Sequence, residues 1–115
     1  MSPQAPEATV KFRLKLIESI DDTISALCGT NVVEPFHTYL KSRFALDQNN
    51  LPECLSILAS AIESAFGENP SRTICKAIAR RLYDKFGCEF VEMKGYGIGE
   101  YVELAKMRLG LVPFG

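Results

Sequence analysis

Five basic side chains crowd one stretch of the chain: Arg72, Lys76, Arg80, Arg81 and Lys85, against one acid, Asp84. Arg72, Lys76 and Arg80 step by four residues. A helix stacks residues at that spacing as neighbours on one face. Such a row attracts an anion: a nucleic-acid backbone, an acidic protein face or a small phosphorylated ligand. The same spacing serves a solvated face whose charges are balanced by acids on neighbouring helices. Arg72, Lys76 and Arg80 are the candidate anionic-partner-binding residues of this chain.

Other chemistry-bearing residues point to packing. His37 is the one histidine. A phosphotransfer histidine is exposed and followed by a lysine and a glycine, but the segment His37-Thr-Tyr-Leu-Lys41 has no glycine. Val33, His37, Leu40 and Phe44 fall on one helical line, which predicts a packed or hydrogen-bonded imidazole. Cys28, Cys54, Cys75 and Cys88 form no CxxC pair and no zinc knuckle, so reduced thiols are expected. With one histidine and no acid cluster at ligand spacing, neither a metal nor a cofactor is expected. Gly95-Tyr-Gly-Ile-Gly99 precedes a predicted helix, where free N–H groups attract anions. Its spacing matches neither phosphate-binding fingerprint, and Glu100 follows it, so a turn needing positive φ is the expectation. No Ser/His/Asp or Cys/His arrangement can be assembled, and the expectation is a protein that is not an enzyme.

The elements that must position these residues are helical. Apolar residues at Leu16, Ile17, Ile20, Ile24 and Leu27 mark a first helix over residues 11–28. Gly29 stops it. A second helix follows Asn31 as N-cap and ends near Ala45. Pro52 fits the first turn of a third helix, which runs to Phe66 and stops at Gly67. Asn69 followed by Pro70 starts a fourth helix, over residues 70–86, with Ile74, Ile78, Leu82 and Phe86 as its core face. Residues 88–93 alternate ambiguously. A fifth helix covers residues 100–109. The closing segment, residues 110–115, is apolar enough to pack back.

The chain also nearly repeats itself. Ile24, Gly29 and Asn31 return as Ile62, Gly67 and Asn69. After an insertion of residues 70–73, Phe36, Leu40 and Phe44 line up with Ile78, Leu82 and Phe86. Four added residues are about one helical turn, so the insertion lengthens a helix without rotating its apolar face. The predicted fold is therefore all-α. It has about five helices: two related helix–Gly–helix units, an internal duplication, plus a C-terminal helix around one core. Residues 1–10 are expected to be a flexible tail and residues 11–115 a single domain.

The matching stretch Ile20-Asp-Asp-Thr-Ile-Ser-Ala-Leu-Cys-Gly29, with Tyr39, Leu40 and Phe44, resembles the Nitrosopumilus output domain family, fifth type. So do Ala61-Ile-Glu-Ser-Ala-Phe-Gly67 and Arg81-Leu-Tyr-Asp-Lys-Phe-Gly87. The resemblance implies an archaeal, cytoplasmic helical domain, sometimes attached to signalling proteins, with an output role. It supplies no catalytic residues.

Composition fits that class. The chain has 115 residues, enough for one self-sufficient core, with 47% hydrophobic and 23% charged residues. No apolar run is long enough to span a bilayer, and the N-terminal residues lack a signal-peptide pattern. The formal net charge is −1, whereas a DNA-binding domain of this size is usually basic. The leading expectation is a cytoplasmic protein-interaction module, a signalling output or regulatory domain, which binds another protein or itself and no membrane. The alternative is a nucleic-acid-binding helical domain that uses the basic fourth helix.

Overall fold

The computed structural model describes residues 4–111, with side chains for residues 7–111. Five α-helices carry the fold: α1 (Gln4–Cys28), α2 (Val33–Phe44), α3 (Leu55–Phe66), α4 (Glu68–Lys85) and α5 (Ile98–Arg108). Short 3-10 turns at Thr30–Val32 and Leu51–Glu53 join the first three. Among the described residues there is no strand. The all-α expectation holds.

The centre of the molecule is α4, which packs along α1 and α3 and also against α5. Its wide apolar face explains this. Ile74, Ile78, Ala79, Leu82 and Tyr83 are all buried, and together they cover more of the helix than one neighbour could. Facing them, α1 presents Phe12, Leu16, Ile20 and Ile24. Two hydroxyls lie buried on the same helix. Ser19 donates to the Lys15 carbonyl at 2.7 Å, and Thr23 to the Ser19 carbonyl at 2.7 Å, so neither is orphaned. Phe12 stacks on Phe86 with ring centroids 5.5 Å apart, and Lys85 reaches back to Asp22 at 3.1 Å. The hydrogen bond to Asp22 is the main cause raising the Lys85 pKa.

Helix starts depart from the sequence expectation in a consistent way. The first helix begins at Gln4, so residues 4–10 are helical where a tail was expected. Pro6 falls in its first turn, where a missing N–H costs nothing. Likewise α4 begins at Glu68, and Pro70 is its third residue, so Asn69 is inside the helix and not its cap. Asn31 lies in the 3-10 turn ahead of α2, and Pro52 in the one ahead of α3. α5 begins at Ile98, because the Glu100 carboxylate accepts the Gly97 N–H at 2.8 Å and caps the start. In the glycine-rich segment only Gly95 has positive φ. Leu111 packs against the core, and the rest of the expected packed-back segment, residues 112–115, lies outside the described residues.

The two helix–Gly–helix units share burial but not packing. Ile24 and Ile62, Phe36 and Ile78, and Leu40 and Leu82 are buried at matching positions. Gly29 and Gly67 have similar backbones, φ 108°, ψ 144° and φ 97°, ψ 165°. Their N–H groups donate to Ser25 and Glu63 carbonyls at 3.0 and 2.8 Å. Yet α3 and α4 pack closely across one residue, while α2 makes little direct contact with α1. The 3-10 turn in the first unit, absent from the second, sends α2 elsewhere.

Gly67 occupies backbone space that L-residues enter only at a cost of about 1–3 kcal/mol. An added Cβ would meet nothing closer than the Pro70 Cδ at 3.6 Å, so the cost is conformational, not steric. Gly67→Ala is expected to lower stability by about that amount in urea unfolding. Gly99→Ala, inside α5 with open space around it, is expected to raise it by about 0.5–1 kcal/mol.

Candidate anion-binding groove

The site begins with how the chain leaves α4. The Gly87 N–H donates to the Asp84 carbonyl at 3.1 Å and the Cys88 N–H to the Tyr83 carbonyl at 2.9 Å, a paired closure that reverses the chain. Residues 88–97 then run back over α4 without regular structure. Aromatic rings hold them there. Phe90 packs edge-on against buried Tyr83 at 5.4 Å and tilts against Tyr101 at 5.0 Å, while Tyr96 meets Tyr101 at 5.2 Å. The Tyr101 hydroxyl accepts the Met93 N–H at 2.9 Å and donates to the Met93 carbonyl at 3.3 Å. From α5, Arg108 donates to the Glu89 carbonyl at 2.7 Å.

This segment decides what becomes of the basic row. Arg72 stays outward, with 73% of its side chain exposed and Glu68 of its own helix at 2.8 Å. Lys76 bends to the loop and meets Glu92 at 2.6 Å. Arg80 lies over the Phe90 ring, 5.0 Å from its centroid, a cation–π contact. Two of the three candidates therefore clamp the loop to α4. The hydrogen bond and charge of Lys76 hold the Glu92 carboxyl below its ordinary range.

Between the first half of α4 and residues 92–98 runs a groove of about 560 Å³. Cys75, Ile98 and Tyr101 form its apolar floor, and Arg72, Lys76 and Lys94 stand on its rim with Glu92. Arg80 does not line it. It borders a shallow depression beside Arg81. The structure thus brings Arg72 and Lys76 together, leaves Arg80 apart, and adds Lys94 and Tyr96, which helical spacing does not select. Their signal was Gly95 and Gly97, which mark a segment free of helix, whereas Gly99 lies inside α5.

The groove has little reactive chemistry. Burial pushes the Cys75 thiol up, partly offset by a hydrogen bond with Ser71, so it is protonated at neutral pH. All four cysteines are free and half-buried. No cluster of His, Cys, Asp and Glu suited to a metal occurs among the described residues. No helix among them is long and apolar enough to cross a membrane. No protein-family model matches this chain, nor does any curated protein or solved structure.

His37 is outside the groove and joins α2 to α1, its Nε2 lying 2.6 Å from the Asp21 carboxylate. That hydrogen bond is the main cause raising its pKa above 6.5, with desolvation opposing and the Asp21 charge assisting. A raised folded-state pKa stabilises fully below the unfolded value and is lost as pH rises through the folded value. Asp21→Asn is therefore expected to destabilise more at pH 5.5 than at pH 8. Urea unfolding at the two values, with the His37 ring titrated by NMR, checks this. Equal losses at both would remove the coupling.

Proposed function

We propose that this chain is a cytoplasmic protein-interaction module, an output or regulatory domain, whose groove receives an acidic segment of a protein partner. One observation carries the reading. A chain of net charge −1 gathers Arg72, Lys76 and Lys94 around an apolar floor; Arg72 and Lys76 are paired with Glu68 and Glu92, and Lys94 meets no carboxylate among the described residues. Charged rims steer encounter and fix register, while apolar floors take the partner's side chains. A small phosphorylated ligand fits less well, because Lys94 is the one rim cation without a carboxylate partner among the described residues, whereas a phosphate takes several donors at once. Nucleic acid also fits less well. Residues 88–97 and α5 cover α4, and Arg80 is engaged with Phe90, so α4 is not free to enter a DNA groove as a reading helix. The resemblance of the helix-and-glycine pattern to the Nitrosopumilus output domain family supports a signalling setting.

The test is a titration of the isotope-labelled chain with an acidic amphipathic peptide and, separately, with duplex DNA and RNA. The peptide is expected to shift Lys76, Lys94, Tyr96 and Ile98. Lys94→Glu is expected to weaken peptide binding roughly tenfold, a loss of about 1.4 kcal/mol. Stability should stay within about 0.5 kcal/mol, since Lys94 is exposed and meets no carboxylate among the described residues. Duplex binding that is stronger than peptide binding, with a steep fall as salt rises, would replace this reading with the nucleic-acid one.

A further inference from the structure

A second groove, of about 720 Å³, lies between α5 and the end of the Leu51–Glu53 turn with the first residues of α3. Its charges are the inverse of the first. Glu53, Glu100 and Glu103 face it against one cation, Lys106. Glu53 is engaged by Arg13, and Glu100 caps Gly97, but Glu103 is 61% exposed, and among the described residues it pairs only with Lys106, at 3.5 Å. Tyr96 lines both grooves. It is therefore the ridge between a basic trough and an acidic one.

Adjacent patches of opposite sign, divided by one apolar ridge, are self-complementary. A two-fold axis through the ridge lays each basic groove against the partner's acidic one, so that residue i meets j and j meets i. Apolar surface sits where such an axis would need it. Met93 in the basic groove, Met107 in the acidic one and Tyr96 between them are exposed by 38%, 64% and 37%. Large apolar side chains exposed together mark contact surfaces. Among the described residues no ion pair neutralises Lys94, and Glu103 has a weak one with Lys106, so both remain available for a partner.

We propose that this face pairs two copies of the chain about Tyr96, the basic groove of each receiving the acidic groove of the other. The proposal rests on the interaction reading above and names the partner as a second copy. Lys94 of one copy meets the Glu103 region of its partner, and the reverse contact follows by symmetry. The association is salt-dependent, because its charged groups lie at an exposed rim.

Sedimentation equilibrium of the full chain tests it. The wild-type chain is expected to reach a mass of two copies, with weaker association as salt rises. Lys94→Glu and Glu103→Lys should each weaken association at least tenfold, since each places like charges opposite one another. An equimolar mixture of the two variants should recover the two-copy mass, because in the mixed pair both contacts again join opposite charges. Circular dichroism of each variant checks that it is folded. A monomeric wild-type chain up to about 1 mM would overturn the proposal, as would two variants that dimerise normally alone, or a mixture that stays monomeric. A monomer that still binds the acidic peptide at Lys94 would overturn the pairing and keep the groove. A peptide that fails to bind a chain still pairing through Lys94 and Glu103 would show that the groove recognises only its own copy.

Discussion

The Tyr83 hydroxyl, buried between α4 and α5, finds its acceptor in the Tyr101 carbonyl at 2.7 Å. A phenol can be buried at low cost only with such a partner. This bond fixes the depth at which α5 sits on α4. The ring that carries the hydroxyl also sets the place of Phe90, and Phe90 sets the path of the irregular segment over α4. The groove is bounded by that segment, so its width depends on an aromatic contact that takes no part in its electrostatics. Arg108 adds to the arrangement from the side, 5.7 Å from the Tyr83 ring, and donates to a loop carbonyl as well. A segment without helix or strand is held in this way chiefly by rings and side-chain contacts, with few backbone hydrogen bonds.

The basic row shows how charge can be divided between structure and recognition. Spacing by four residues puts Arg72, Lys76 and Arg80 on one face of α4. What spacing cannot convey is that a later segment folds onto it. Arg80 is drawn to a ring and Lys76 to a carboxylate, both from residues 88–97. Lys94, which meets no carboxylate among the described residues, comes from that later segment.

Helical content, most core positions and the stops at Gly29 and Gly67 were legible, because apolar periodicity and glycine act locally, although Leu27 of the expected stripe is 50% exposed. Helix starts were less legible: α1 begins at Gln4 where residue 11 was expected, and α4 at Glu68 where residue 70 was. Proline is tolerated anywhere in a first turn, so Pro6 and Pro70 mark a turn of helix and not its first residue. The repeat was legible as burial and not as packing. Ile24 and Ile62 are buried alike, but a few residues after Gly29 turn α2 aside, and no pattern of apolar residues encodes that angle. The groove was least legible, since Lys94 and Tyr96 owe their position to ring packing on Tyr83 and Tyr101, which no helical periodicity encodes.

The one-residue joint at Gly67 bears on the order in which the molecule assembles. Contacts between α3 and α4 are local in sequence and close a small loop, whereas those of α1 with α4 bring together Phe12 and Phe86 across most of the chain. Loop closure for the second is the dearer entropically, so an α3–α4 hairpin is the natural nucleus and α1 docks onto it afterwards. Native-state hydrogen exchange would then find α1 opening as its own unit, at a lower free energy than the hairpin. The long first helix would be the molecule's most readily detached piece, although it supplies a large share of the core.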